Sequence, residues 1–455
     1  MHKAIAMNTR EPQASRALDG AFARTRRVTG VLHGLPVVHK DLAETAGVRT
    51  SFGSPLFADY VPTNDDLVVA RMRAAGTVML GKSNTPEFGA GSHTFNALFG
   101  VTRNPWNLER SAGGSSGGAA VAVACRMAAL ADGSDLGGSL RNPAAFCGVV
   151  GFRPSIGRVP SIGPMATRAR LGVAGPIART VADVALLLAA IAGPEHRAPV
   201  ARGERGSDFE PPLRPVRRAL RVAFSADLGD LPIDPDVRSV ITAFLPTLTA
   251  LGWSVEEASP DLDGADRCFE TIRSWYTAMR HRALDADRRA QLKSVVIDEL
   301  RRGEALGAVA LGEAFVDEAR LTMAASAFFD DHDLLVCPAT QVPPFPVAHE
   351  YVADINGAAM TSYIEWMRIC SRLTVLGVPA LSLPVGFTAD GLPVGIQIVG
   401  RAGADLDVLR AGAMIEAALA LPLRPPLESL LLQPPPERFV VHPMPVKGPS
   451  ASSTA

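Results

Sequence analysis

Three stretches of the chain carry residues whose types and spacing could do chemistry. Gly76-Thr77-Val78-Met79-Leu80-Gly81-Lys82-Ser83 fits the letters of a phosphate-binding loop, G-x-x-x-x-G-K-S. Such a loop needs a strand before it, a pliable interior and a helix after it, so that amide N–H groups can wrap a phosphate. Here the interior is itself strand-like, a helical pattern precedes it, and Pro86 breaks the position where the helix would begin. The stretch therefore reads as a strand ending in a turn, with Lys82 structural. Gly114-Ser115-Ser116-Gly117-Gly118 fits G-x-S-x-G, the turn that exposes a nucleophilic Ser116 between a strand and a helix. The residues before it, Asn104-Pro105-Trp106-Asn107, form turns, and no downstream histidine falls in a convincing post-strand loop.

The third pattern joins separated pieces. Gly113-Gly114-Ser115-Ser116-Gly117-Gly118 leads into a small-residue helix. Ser139 comes 24 residues after Ser115, within Ser134-Asp135-Leu136-Gly137-Gly138-Ser139-Leu140-Arg141-Asn142. Upstream, His39-Lys40-Asp41-Leu42 closes a strand. A serine hydroxyl is a weak nucleophile unless a base removes its proton during attack. A lysine can be that base when burial or neighbouring cations lower its pKa toward neutrality. Leu136-Gly137-Gly138-Ser139 offers four successive amides without a proline, and its two glycines permit a turn that aims several N–H groups at one point. Such donors can hold the oxyanion of a tetrahedral intermediate, at about 3 kcal/mol each.

The elements that must position these groups alternate. Strands are predicted at 35–39, 77–80 and 129–131, with a helix over 66–75 capped by Asn64-Asp65-Asp66. A helix over 119–128 comes after the first Gly-rich stretch, and Thr180 caps another over 181–192. Residues 194–217 read as a surface connection and 264–330 as a helical insert. Strands at 220–224, 334–337, 380–385 and 394–399 and helices over 356–374 and 406–419 complete the pattern. The fold class is α/β, a large mixed sheet flanked by helices. The expected organisation is one domain over 1–420, its helical insert at about 264–330, and a Pro/Ser-rich tail over 421–455.

Composition narrows the function classes. In 455 residues, 45 Lys and Arg stand against 46 Asp and Glu, a net charge of −1. Neither nucleic acid nor an anionic membrane is an expected partner. Five dispersed cysteines (Cys125, Cys147, Cys268, Cys337, Cys370) without a C-x-x-C point to a reducing cytoplasm rather than a disulfide framework or zinc knuckle. The start has no apolar run that would make a secretory signal. The greasiest stretch, 181–193, is too short to span a bilayer.

At Gly113–Gly118 and 135–141 the chain resembles the amidase signature family, with the family's gap between the two blocks. Gly34-Leu35-Pro36-Val37-Val38-His39-Lys40-Asp41 is similar to the family's lysine block. Blocks at 81–88, 100–106, 151–159, 175–183 and 391–400 occur in family order, so the resemblance covers about residues 30–420. It implies an amidase in which Ser139 forms the acyl-enzyme, Ser115, after a cis peptide bond, bridges, and Lys40 is the terminal base. It also implies that the amides of Leu136, Gly137, Gly138 and Ser139 hold the oxyanion. The substrate would be a small amide, with no metal and no organic cofactor, and a homodimer is admitted. Two alternatives stay open: the glutaminase (A) subunit of a tRNA-dependent amidotransferase, and an inactive amidase-like binding protein. Three features depart from the family pattern. The segment ahead of the lysine block is short, Ser134-Asp135-Leu136 replaces a more usual Thr-Asp-Thr or Thr-Asp-Ile, and Asn142 stands where an apolar residue is common. Ser116 and Ser134 read as loop supports, His39 and His93 as packing or surface residues, and Asp135 with Arg141 as a structural ion pair or backbone clamp. Phe269, Trp275, Tyr276, Phe315, Phe328 and Phe329 would line an acyl pocket or, more in keeping with their type, fill a core.

Overall fold

A mixed sheet of eleven strands organises the chain. In spatial order the strands are Ile5–Met7, Val78–Ser83, Pro36–Lys40, Leu130–Asp135, Val173–Ala178, Val150–Arg153, Ala380–Phe387, Pro393–Val399, Leu334–Pro338, Arg221–Phe224 and Ser254–Glu257. The structure, a computed structural model, describes residues 5–7, 23–24, 28–163, 165–167 and 170–428. Most of the segment ahead of the lysine block, and the expected tail from 429 onward, lie outside these residues. The described start of that tail is not all surface, because Leu427 packs on a small-residue core.

Two parallel pairings set up the site. Pro36–Lys40 runs parallel to Val78–Ser83 on one side and to Leu130–Asp135 on the other, with Val37 opposite Leu130 and Val38 opposite Ala131. Parallel neighbours finish at the same edge of a sheet, so Lys40, Ser83 and the residues around Ser134 share one edge. The central strands Leu334–Pro338 and Pro393–Val399 are buried at every position, as sheets covered on both faces require.

Beneath the Gly-rich blocks lies a core of small side chains. Every residue of the helix Gly117–Ala124 is buried, and Ala119, Ala120 and Val121 pack with Val38, Ala131, Ala144 and Ile177. Gly117 shows why the helix can sit so close, because a Cβ there would lie 2.3 Å from Thr94 Oγ1. The helix Val181–Ile191 starts as expected, with the Thr180 side chain accepting the Asp183 amide. The helix Leu67–Ala74 begins after Asp66, yet Asp66 makes no capping bond; its carboxylate accepts the Glu44 amide at 2.9 Å. No helix among the described residues is long and apolar enough to cross a membrane.

Two expectations about elements are corrected. The helix expected over 356–374 is confined to Arg368–Val375, and residues 354–359 form a two-stranded turn instead, with Asn356 and Gly357 both at positive φ. The strand expected at 129–131 extends through Asp135, because Gly133 pairs opposite Gly175 and the ladder continues where the sequence looks like loop. The helical insert comprises Ala265–Arg280, Ala286–Arg289, Ser294–Glu304 and Ala308–Asp331.

Candidate active site

Lys40 is the last residue of its strand and only 1% exposed. Its Nζ lies 2.7 Å from Ser115 Oγ, 2.9 Å from Ser116 Oγ and 3.1 Å from Ser134 Oγ, with the Ser134 carbonyl at 3.4 Å. Ser115 and Ser116 immediately precede the helix Gly117–Ala124, and the Gly114–Ser115 peptide is cis. Ser134 arrives on the parallel neighbour strand. Burial drives the Lys40 pKa down from 10.5 to about 7; Asp135 and Asp132 pull it back up only through space, and Arg280 adds to the lowering. The positive end of the helix dipole at Ser116 acts in the same sense, disfavouring an ammonium there.

The loop 136–140, which carries Ser139, is clamped from behind. The buried Asp135 carboxylate accepts the Gly138 amide at 2.9 Å and the Leu140 amide at 3.1 Å. Arg141 meets it with two bonds, Nε at 3.0 Å and Nη2 at 2.9 Å. Arg141 also donates to the Cys370 carbonyl, to Gln397 Oε1 and to Thr374 Oγ1, which ties the loop to a helix and a central strand. Burial alone would raise the Asp135 pKa. The Arg141 charge and hydrogen bonds, with Arg153 behind them, outweigh it and hold the carboxyl below the usual carboxylate range. The pair is thus the backbone clamp its position in sequence implied. Gly138 needs to be glycine: its φ is +125°, and a Cβ there would lie 2.8 Å from Cys370 Cβ.

Ser139 is half-buried, lines the same cavity as Ser115, and its carbonyl accepts the Ser116 amide at 3.2 Å. The amides of Gly137 and Ser139 make no hydrogen bond among the described residues, whereas that of Gly138 is engaged by Asp135. Leu136 and Gly137 line the cavity beside Ser139. The arrangement can pass a proton from Ser115 to an amine whose neutral form is well populated near pH 7, beside a half-buried second serine and free main-chain donors.

Several supports escape a reading of spacing. Ser116 and Ser134, expected only to brace loops, both touch the lysine nitrogen. Asn142 donates to Ser92 Oγ at 2.8 Å, and Ser92 donates to the Gly114 carbonyl at 3.2 Å, so a polar residue at an unusual position steadies the peptide before Ser115. His39 is buried against Asp132 at 2.7 Å. His93 bonds Ser111 and the Val347 carbonyl, and burial pushes its pKa down to about 3. Neither histidine is in the cavity lining. Lys82 is buried on the Ala43 carbonyl and Thr45 Oγ1, a structural role in keeping with its place inside the strand Val78–Ser83. All five cysteines are buried free thiols. Among the described residues no group of three or more His, Cys, Asp or Glu side chains could hold a metal ion.

The cavity above the serines has a volume of about 1220 Å³. Its lining includes Phe52, Phe57, Tyr60 and Phe88, and next to Phe88 it includes Tyr276, Arg280 and His281 from the helical insert. Of the six insert aromatics singled out in the sequence, Tyr276 lines the cavity. Phe269 is buried in the core, where its ring would stand 2.7 Å from a Cβ added at Gly137.

The chain is similar to known proteins over most of its length. The amidase family profile matches residues 4–409. The chain is 36% identical over 365 residues to an acylamidase of Rhodococcus erythropolis, covering 80% of this chain and 76% of that protein. It is 34% identical over 392 residues to the A subunit of the glutamyl-tRNA(Gln) amidotransferase of Thermosynechococcus vestitus, covering 80% and 79% of the two chains. The fold superposes on the crystal structure of a bacterial aryl acylamidase of the amidase signature enzymes with a TM-score of 0.84, at 28% identity and over 91% and 89% of the two chains. The clustered lysine and serines, the mixed sheet beneath them and these likenesses lead to one conclusion: the chain belongs to the amidase signature family.

Proposed function

We propose that the chain hydrolyses a carboxamide to an acid and an amine or ammonia through a Ser139 acyl-enzyme. Ser139 Oγ attacks the amide carbon while its proton passes to Ser115 and from Ser115 to Lys40. The oxyanion that forms is held by main-chain donors of the 136–139 loop. The amides of Leu136, Gly137 and Ser139 fill that role, and Gly138 instead anchors the loop to Asp135. As the intermediate collapses, the proton returns from Lys40 through Ser115 to the leaving nitrogen, and the amine departs. Water then attacks the acyl-enzyme by the reverse relay, releasing the acid and restoring Ser139. The observation that carries this reading is Lys40: wholly buried, 2.7 Å from Ser115, and with its pKa brought to about 7. Five buried thiols accord with a cytoplasmic setting.

The likeness to amidotransferase A subunits favours a second reading, in which the same site releases ammonia from glutamine for a partner. One experiment separates the two. The purified chain is offered a panel of aryl, aliphatic and cyclic amides and glutamine, without partner subunits or ATP, with Ser139→Ala as the blank. Turnover of simple amides by the isolated chain supports the amidase. Glutamine turnover that is absent from the isolated chain and appears once partner subunits are added supports the second reading. A fluorophosphonate probe that fails to label Ser139 would leave only the inactive binding protein.

A further inference from the structure

The helix Ala265–Arg280 ends at the cavity, and both Arg280 and the adjoining His281 line it. His281 is 7% exposed, and its ring stands edge-on to Phe88 with centroids 4.4 Å apart. Its ring nitrogens make no hydrogen bond among the described residues and are not among the fully buried unpaired polar atoms, so they are open to the cavity and to a ligand atom there. Burial, with Arg280 and Arg289 nearby, pushes its pKa down to about 4, which leaves a neutral imidazole with one N–H to offer.

The Arg280 side chain likewise has no ion pair and no hydrogen bond among the described residues. The carboxylates that share the cavity are already engaged. Asp65 pairs with Arg73, Asp66 accepts the Glu44 amide, Glu44 accepts the Tyr60 hydroxyl and Asp135 is held by Arg141. Arg273, earlier on the same helix, is paired with Glu299. Arg280 is itself exposed, so its charge stands at the open side of the cavity without a protein partner, close enough to Lys40 to contribute to its lowered pKa. Beside it Phe88 and Phe52 stack with centroids 6.3 Å apart, and their backbones are linked by the Phe88 amide donating to the Phe52 carbonyl at 2.7 Å. Both residues hold positive φ, +50° and +54°, a conformation that aromatic side chains rarely adopt. Strained backbone thus presents two rings along one cavity wall. A fork of donors and an imidazole N–H at the end of an aromatic wall match an acceptor-only anion on an apolar body.

We propose that Arg280 and His281 form a carboxylate subsite, and that the substrate is an amide carrying a free carboxylate on an apolar segment that lies along Phe88 and Phe52. The proposal rests on the amidase reading above and names its substrate class. The carboxylate can belong to the acyl part or to the leaving amine, and matched pairs of substrates tell these apart. Glutaric acid monoanilide against butyranilide tests the acyl side, and 4-acetamidobenzoate against acetanilide tests the amine side. Wild-type enzyme is expected to prefer the charged member of one pair by tenfold or more in kcat/KM. Arg280→Met should bring that ratio to within threefold of unity, chiefly through KM, whatever the absolute rates become. His281→Phe, which keeps a ring against Phe88, should lower the ratio three- to tenfold. Equal rates within both pairs, or a preference that survives Arg280→Met, would overturn the subsite. If none of the four amides is turned over, the subsite is read instead by calorimetry on the Ser139→Ala protein, and the amidase reading is judged separately by the wider amide panel and the fluorophosphonate probe. Binding of either carboxylate that weakens tenfold on adding Arg280→Met supports it, and binding that is absent or unchanged overturns it.

Discussion

The floor and the wall of the cavity are built on opposite plans. On the floor, most polar groups are buried and answered by one another. The Asp135 carboxylate receives two main-chain amides and two Arg141 bonds, and Lys40 is ringed by three hydroxyls. These partners come from strand ends and a helix start that are packed on small residues, so the geometry has little freedom to drift. In the helical wall, charges pair mostly at the surface, as Arg301 does with Asp298, while Arg280 and His281 face the cavity unanswered. A closed floor and an open wall divide the work. The chemistry is held by the part that cannot move, and the choice of substrate falls to groups waiting for a partner.

Breaking the floor should produce the largest effects. Ser139→Ala is expected to lower kcat about 10⁴-fold or more, with a melting temperature close to that of the parent protein. A residual rate above one per cent would remove Ser139 from the reaction. Asp135→Asn leaves the buried Arg141 without a counter-charge and should cost about 3–5 kcal/mol in urea unfolding. A loss under about 1 kcal/mol would mean the clamp does not brace the loop. The pH profile sharpens the role of the base. Lys40 must be neutral to accept a proton, so kcat/KM should climb to a plateau above about pH 7 and stand roughly 100-fold lower at pH 5. Because Arg280 helps keep that pKa down, Arg280→Met should move the rise toward higher pH. A flat profile would assign the base elsewhere. The wall's surface pairs should matter least. Asp298→Ala on the helix Ser294–Glu304 is expected to change stability by about 0.5 kcal/mol or less, and a loss of several times that would erase the contrast between the regions.

The legibility of the residues falls along the same division. Lys40, Ser115 and Ser139 are singled out by the resemblance of their blocks to those of a family, since a lone lysine at a strand end or a serine in a Gly-rich loop is by itself unremarkable, and the Asp135–Arg141 pair by its position around Ser139. The other contacts of the floor are not legible. Ser116 and Ser134 meet Lys40 across 76 and 94 residues of sequence, and the Asn142–Ser92 bond spans 50, so no local pattern announces them. The ladder through Gly133 is hidden because strand propensity disfavours glycine, yet bare backbone is what lets Leu140 and Ser116 approach, at 2.7 and 2.8 Å from where a Cβ would stand. The helix expected over 356–374 fails at the turn at Asn356 and Gly357, whose left-handed φ values interrupt an otherwise apolar stretch. In the wall, amphipathic periodicity locates the helices, but nothing in it distinguishes Tyr276, which lines the cavity, from Phe329, which fills the core.

The burial of Lys40 also sets how firmly the whole fold holds together. An unfolded chain keeps a lysine protonated until about pH 10.4, whereas the folded protein releases this proton near pH 7. Between those values the denatured state binds the extra proton, so folding stability from this group rises with alkalinity, and below pH 7 the native state carries a fixed penalty on the order of several kcal/mol. Lys40→Met, which never titrates, should therefore yield an inert protein that withstands heat better than its parent at neutral and acidic pH, with the advantage shrinking as the medium turns basic.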